Sequence, residues 1–146
     1  MKLKKIILLF VINVIALVAL TGCDTSDKLV GTWHSLDADN KIGKVIIEDN
    51  AIIINGIKFK TSQNAIGIHN GLQYYGIQLH EFNDRKKLIS IIFPKKEEKD
   101  KAIILVPNDE EDLTAGTILA VISKKQFKNK DYSYWLKDYF KLKVED

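Results

Sequence analysis

Between Gly31 and Ser123 the sequence is a succession of short apolar runs, rich in isoleucine and valine, separated by turn-forming residues. Runs of about four to eight β-branched or aromatic residues are typical of strands. Two of the separators are the Asn-Gly pairs Asn55-Gly56 and Asn70-Gly71, which tolerate the positive φ values of a tight hairpin. Short strands joined by such turns restrict the chain to an antiparallel meander.

The pattern predicts about eight or nine strands, a number that favours a small, mainly β barrel formed by neighbours in sequence. Two predicted strands, around Ile46 and Ile104, are apolar on both faces. One face of each is expected to be buried inside the barrel and the other under a helix. The predicted strands lie at Gly31–Leu36, Lys44–Glu48, Ile52–Ile54, Ile57–Lys60, Ala65–Ile68, Leu72–His80, Leu88–Phe93, Ala102–Val106 and Gly116–Ser123.

The C-terminal tail changes its apolar period from two to the spacing of a helix. The residues that share this spacing are Tyr132, Trp135, Leu136, Tyr139 and Phe140. We therefore predict an amphipathic helix over Tyr132–Leu142 that packs against the outer wall of the barrel. The alternative is that part of this aromatic stripe faces a bilayer interface, where Trp and Tyr are favoured.

The first residues have the organisation of an export signal. Lys2, Lys4 and Lys5 precede an apolar run, Ile6–Leu20, which is short for a membrane-spanning helix. The sequence Leu-Thr-Gly-Cys at 20–23 then resembles the lipobox of bacterial lipoproteins at all four positions. An uncleaved transmembrane anchor is the alternative interpretation.

The lipoprotein resemblance implies that residues 1–22 are a cleaved signal peptide and that Cys23 carries a diacylglyceryl group. Residues 23–29 would then be the lipidated N-terminus and a tether, and residues 30–146 a single barrel-like domain. Two acyl chains are enough for stable attachment to a membrane. The resemblance, with Asp24 after the cysteine, places the domain on the outer face of the cytoplasmic membrane.

Charge and cysteine content limit the partners of the mature domain. Of 22 basic and 19 acidic residues, three lysines and no acidic residue lie before the cleavage point, so the mature chain is close to neutral. A nucleic-acid partner is therefore not expected. Since Cys23 is the only cysteine, the domain has no disulfide and depends on its core.

The start of the domain, Val30-Gly31-Thr32-Trp33, carries a Gly-x-Trp motif on the first predicted strand. This motif is similar to that of the lipocalin and calycin superfamily. The resemblance implies a calycin-like barrel, plugged at one end by Trp33, with an apolar ligand inside and a C-terminal helix. The family also places an arginine late in the chain against the tryptophan, whereas the only arginine here is Arg85, in mid-chain.

No constellation of catalytic residues is apparent. His34, His69 and His80 form none of the short-spaced pairs that bind metals, and no serine has a nucleophile motif. The acidic run Asp109–Asp112 lacks the alternation and the glycine of an EF-hand. We therefore predict no catalytic residue, no metal and no cofactor.

These features together predict a membrane-anchored binding or interaction module, for a small apolar ligand or an envelope component. An envelope enzyme acting on lipid or cell-wall substrate is the alternative, and an interaction protein with a filled barrel is a third reading. If the barrel has a cavity, its lining is expected from one face of the strands. The candidates are Trp33, Ile47, Phe59, Ile77, Ile91 and Leu105.

Overall fold

The computed structural model describes residues 27–69, 71–80, 86–93 and 99–139. Within these ranges the chain forms eight antiparallel strands around a closed barrel, since the last strand pairs with the first. The mainly β fold and the antiparallel meander predicted from the sequence are confirmed. The strands are β1 (Gly31–Asp37), β2 (Ile42–Glu48), β3 (Ala51–Ile54), β4 (Ile57–His69), β5 (Leu72–His80), β6 (Lys86–Phe93), β7 (Lys101–Pro107) and β8 (Gly116–Ser123).

The turn between β3 and β4 shows how a short sequence signal sets the register of two strands. Asn55 and Gly56 have φ values of 49° and 88°, the positive values predicted for an Asn-Gly hairpin. Across this turn Ile54 pairs with Ile57, and Ile52 pairs with Phe59. The second Asn-Gly pair is described only at Gly71, whose φ is 80°.

Two predicted strands, at 57–60 and 65–68, are parts of the single long strand β4. The strand continues because β5 pairs with it throughout, although the register shifts between Gln63 and Ala65. Such a bulge changes the phase of the alternation, which hides the continuity in the sequence. The sequence also predicts a turn at 83–85, a strand end at Pro94 and a solvated hairpin tip in the charged run 95–101. Residues 81–85 and 94–98 lie outside the described part of the chain.

The barrel interior is filled most densely where β1 begins and β6 ends. Trp33, Phe93 and Leu29 are fully buried, and the rings of Trp33 and Phe93 meet edge to face with centroids 6.2 Å apart. The Trp33 indole Nε1–H donates to the Leu29 carbonyl at 2.8 Å, which satisfies its only polar group. The predicted burial of Trp33 is confirmed, and Ile89, Ile91 and Phe93 share the inward face of β6.

A second apolar cluster lies on the outside of the barrel. It joins the outward side chains of β1, β6, β7 and β8 to the segment that follows β8. The expected burial on both faces is therefore present in β7, whereas Ile46 of β2 is only half-buried and does not belong to this cluster. The members are Leu36, Ile92, Ile103, Leu105, Val121, Phe127, Tyr132, Trp135 and Leu136.

The helix predicted over Tyr132–Leu142 differs from the structure. The described residues form one α-helical turn, α1 (Tyr132–Tyr134), followed by a π-helical turn at Trp135–Tyr139. Residues 140–142 lie outside the described part of the chain. Two hydrogen bonds fix this segment: Trp135 Nε1 donates to the Asn129 carbonyl at 2.7 Å, and Asn40 Oδ1 accepts from the Tyr132 N–H at 2.9 Å.

The aromatic side chains of this segment are divided between the barrel wall and solvent. Tyr132 and Trp135 are buried in the outer cluster, whereas Tyr134 is 40% exposed. In β5 the neighbours Tyr74 and Tyr75 lie on opposite faces, as their strand position requires, with Tyr75 in the interior core. None of the helices in the described ranges has the length and apolar character needed to span a bilayer.

Candidate functional site at the open end of the barrel

The barrel has two ends that differ in packing. The closed end contains Trp33 and Phe93 and receives the chain at Asp27, whereas the open end carries the β1–β2 and β3–β4 turns. A cavity of about 340 Å³ lies at the open end and communicates with solvent. The described residues that line it are Ser35, Asp37, Lys41, Ile42, Gly43, Val45, Ile54, Asn55, Ile104, Leu119 and Ala120.

The cavity exists because small residues occupy inward positions on three neighbouring strands. Trp33 and Ser35 point inward from β1, since side chains two residues apart share a face. Ser35 pairs with Gly43 of β2, and Ala120 of β8 pairs with Asp37. No side chain at these three positions is long enough to reach the barrel axis, so the interior core stops at Val45 and Ile104.

Gly43 is required at this place by a close approach. A methyl group there would collide with the Asn55 side chain and with the Ser35 hydroxyl, the latter only 2.8 Å away. The Asn55 amide oxygen crosses to β2 and accepts the Lys44 N–H at 3.0 Å. Asn55 therefore closes one side of the cavity mouth, and the glycine is what leaves room for it.

The apolar rim of the cavity depends on a register shift between β7 and β8. Ile104 pairs with Ala120 but Leu105 pairs with Ile118, so Leu119 has no partner in the ladder. A bulged residue is re-aimed by the local bend of its strand. Leu119 is 43% exposed and Ile42 is 50% exposed, and both line the cavity. The mouth thus presents apolar side chains to solvent, where polar ones are usual.

The polar groups at the mouth are mostly engaged in shaping the turns. The Asp37 carboxylate accepts the backbone N–H groups of Asp39, at 2.9 Å, and Lys41, at 3.0 Å. Asp37 also acts on Tyr132, because burial raises the pKa of that phenol and the Asp37 charge raises it further. The side chains left to meet a ligand are the Ser35 hydroxyl and the Lys41 ammonium, beside aliphatic carbon.

A second, smaller cavity of about 240 Å³ lies outside the barrel, between β1 and the segment after β8. It is lined by His34, Ile42, Gln126, Phe127 and Lys130. Ile42, at the start of β2, lines both cavities, so the two cavities are neighbours.

The three histidines lie in different places. His34 lines the outer cavity, His69 ends β4 with its imidazole 3.9 Å from the exposed Asp112 carboxylate, and His80 ends β5. Hydrogen bonds from Thr114 hold the pKa of the Asp112 carboxyl below its usual value, and His69 adds a smaller effect. In the described part of the chain, no three histidine, cysteine or carboxylate side chains lie close enough to hold a metal ion.

The residues predicted to line a ligand cavity lie elsewhere. Trp33, Ile47, Ile77 and Ile91 are in the interior core and Phe59 packs against it. Leu105 lies on the opposite face of β7, in the outer cluster, where Ile104 takes the inward position. None of the six is among the described residues that line the open-end cavity, and Cys23 lies outside the described ranges.

The residues that line the open-end cavity could be found in the sequence only by looking for small residues at inward positions. Ser35 follows Trp33 by two, and Gly43 precedes Val45 by two, so both belong to the inward face once Trp33 and Val45 do. Ala120 and Leu119 require the register shift in β8, which no local pattern indicates.

No known protein family, curated protein or solved structure shows a match to this chain.

Proposed function

We propose that this chain is a membrane-anchored lipoprotein whose barrel binds a small apolar ligand at its open end. The observation that carries the proposal is the cavity of about 340 Å³ with an apolar, partly exposed rim, which lies beside the packed interior core. Small-molecule sites usually occupy roughly 300–1,000 Å³ and are lined mainly by apolar groups with a few polar ones. The site is therefore suited to a compact apolar molecule.

The lining also favours one orientation of the ligand. Ile54, Val45 and Ile104 form the inner wall, while the Lys41 ammonium stands at the mouth. An apolar body entering first would leave an anionic or polar end beside Lys41. A medium-chain fatty acid has an apolar body and an anionic end, so we take octanoate as the test ligand.

A calycin-like barrel is the finer fold assignment that we propose. Two features support it besides the Gly-x-Trp motif: the Trp33 side chain plugs the closed end, and the described chain after β8 turns back onto the barrel wall. The superfamily's late arginine has a counterpart in Lys124, directly after β8, whose ammonium lies 5.1 Å from the Trp33 ring centroid. The indole ring attracts the ammonium of a lysine over its face as it attracts the guanidinium of an arginine.

Binding without turnover fits this site better than hydrolysis does. The polar groups that line the cavity comprise one hydroxyl, one ammonium, a carboxylate engaged with backbone N–H groups and an amide engaged with Lys44. Hydrolytic sites need a nucleophile or activated water with a base in hydrogen-bonding reach. This arrangement supports the binding module over the envelope enzyme.

The binding proposal is tested by filling the cavity. Ala120→Leu places a larger side chain in the open end, and Thr32→Leu, at an exposed position on the outer face of β1, is the matched control. We expect fluorescent fatty acid bound by the wild type to be displaced by octanoate, and Ala120→Leu to bind at least about ten-fold more weakly. Native mass spectrometry of the purified protein would reveal a co-purifying molecule.

The control Thr32→Leu should bind as the wild type does. If all three proteins bind alike, or none binds saturably, the cavity is not a ligand site. The remaining interpretation is then an interaction protein with a filled core.

The anchor is tested separately from the ligand site. We expect a labelled fatty acid to be incorporated into the wild type and to be absent from Cys23→Ser, which should also be misprocessed or released from the membrane. Label retained by Cys23→Ser, or missing from the wild type, would contradict the lipoprotein proposal.

A further inference from the structure

The closed end of the barrel carries lysines around its aromatic plug. The Lys28 ammonium lies 4.0 Å from the Phe93 ring centroid and donates to Gln73 Oε1 at 2.6 Å. The Lys124 ammonium lies 5.1 Å from the Trp33 ring centroid. Since the Trp33 and Phe93 rings touch edge to face, these two cations stand over a single aromatic pair.

Lys99 belongs to the same place. Burial lowers the pKa of Lys28, and the positive charge of Lys99 lowers it further. The Lys124 N–H donates to the carbonyl of Asp100, the next residue, at 2.9 Å. Three lysines from three separate parts of the chain therefore converge at this end.

Two exposed isoleucines lie next to these lysines. Ile66 and Ile68, on the part of β4 beyond the bulge, are 58% and 60% exposed. Ile68 pairs directly with Gln73, the residue that accepts the Lys28 hydrogen bond. Neighbouring exposed apolar side chains, rimmed by polar residues, mark a protein or membrane interaction site when they form a contiguous patch. We call the surface formed by Lys28, Ile66, Ile68, Lys99 and Lys124 the basal face.

The N-terminal segment of the described chain lies at the basal face, which determines how far a lipid anchor can be from it. Asp27 and Lys28 are at this end, and Leu29 is already in the core, although the sequence assigns these residues to the tether. Cys23 is four residues before Asp27, and four extended residues span at most about 14 Å. A lipid on Cys23 would hold the bilayer surface within that distance of the basal face.

We propose that the basal face docks on the anionic surface of the membrane, with the lysines at lipid phosphates and Ile66 and Ile68 in the interfacial layer. This inference rests on the proposed lipid anchor at Cys23. Asp27 and Asp100 share this end, and the Asp112 carboxylate lies 3.9 Å from the imidazole of His69, the residue after Ile68, so the attraction depends on the position of the lysines beside the isoleucines and not on net charge. Docking would point the open end away from the bilayer.

The test uses the lipidated chain in vesicles of phosphatidylcholine, with or without phosphatidylglycerol. An amine reagent labels the lysines and mass spectrometry reads each one. Labelling of Lys28, Lys99 and Lys124 should fall about five-fold in the anionic vesicles, because each lysine near such a surface is attracted to it. The controls Lys58, Lys86 and Lys87, exposed at strand starts of the opposite end, should not change.

The two isoleucines of the basal face are tested by substitution, with an exposed isoleucine at the open end as the control. Ile66→Ser with Ile68→Ser should remove most of the protection, whereas Ile57→Ser, which changes an isoleucine that is 55% exposed at the open end, should not. Equal labelling in both kinds of vesicle, or an equal loss at both ends, would overturn the docking proposal. A protein that does not float with phosphatidylcholine vesicles is not lipidated, which would instead refute the anchor.

Discussion

The two ends of the barrel are built from the same eight strands but differ in the side chains that point inward. At the closed end, large aromatic and branched residues pack against one another among the described residues. At the open end, Ser35, Gly43 and Ala120 stand at inward positions and the rim is apolar. One closed barrel can therefore contain both a packed core and a cavity, because the packed part of the interior is enough to stabilise the fold.

The largest expected effect is at the closed end. Trp33→Ala should lower the free energy of unfolding by about 3–5 kcal/mol, because it removes a fully buried indole and leaves a cavity. Urea unfolding followed by circular dichroism measures this loss. A loss below about 1 kcal/mol would mean that the aromatic plug does not stabilise the barrel as described.

A pair of identical substitutions compares the two ends directly. Ile91→Ala, in the filled core, should lower the free energy of unfolding by about 2–5 kcal/mol. Ile54→Ala, at a half-buried position on the cavity wall, should lower it by about 1 kcal/mol, since less apolar area leaves contact there. Equal losses for the two variants in urea unfolding would show that the open end is as tightly packed as the other.

The open end is also stabilised from outside by the C-terminal segment. Asn40→Gly keeps the positive φ of 61° accessible but removes the hydrogen bond to the Tyr132 N–H, which should cost about 1 kcal/mol. Asp39→Ala, at an exposed position in the same turn, is the control and should change stability by less than about 0.5 kcal/mol. Indistinguishable unfolding curves would argue that this contact is unimportant.

The smallest expected effect is a pH dependence at this contact. Burial and Asp37 raise the pKa of the Tyr132 phenol, so the folded state holds its proton more tightly than the unfolded chain does. The resulting stability is present below the unfolded pKa, about 10, and is lost as pH rises through the folded value. Tyr132→Phe should therefore lose less stability than the wild type between neutral and strongly alkaline pH. The same slope in both proteins would exclude this contribution.

The closed end could be predicted from the sequence because its strands alternate. Trp33 and the series Ile89, Ile91 and Phe93 each specify one inward face, and these four side chains lie in the interior core. In β7 the apolar residues are consecutive, so alternation does not tell Ile104 from Leu105. The inward position was therefore given to the wrong neighbour in this strand.

The open end could not be predicted because it depends on contacts between distant parts of the chain. Its space comes from small residues on three strands, which become neighbours only through the register, and from an unpaired Leu119. The tail presents the same difficulty, since Tyr132 is fixed by Asn40, far away in sequence. Periodicity indicates which residues are buried but not where two elements meet.

In our proposal the open end binds an apolar ligand, while the core at the closed end stays packed. Methyl NMR spectra of isoleucine-labelled protein, titrated with octanoate, test it most directly. We predict saturable shifts for Ile42, Ile54 and Ile104, with Ile47, Ile77 and Ile91 unchanged. Shifts confined to the second group, or no saturable shift at any isoleucine, would contradict the account.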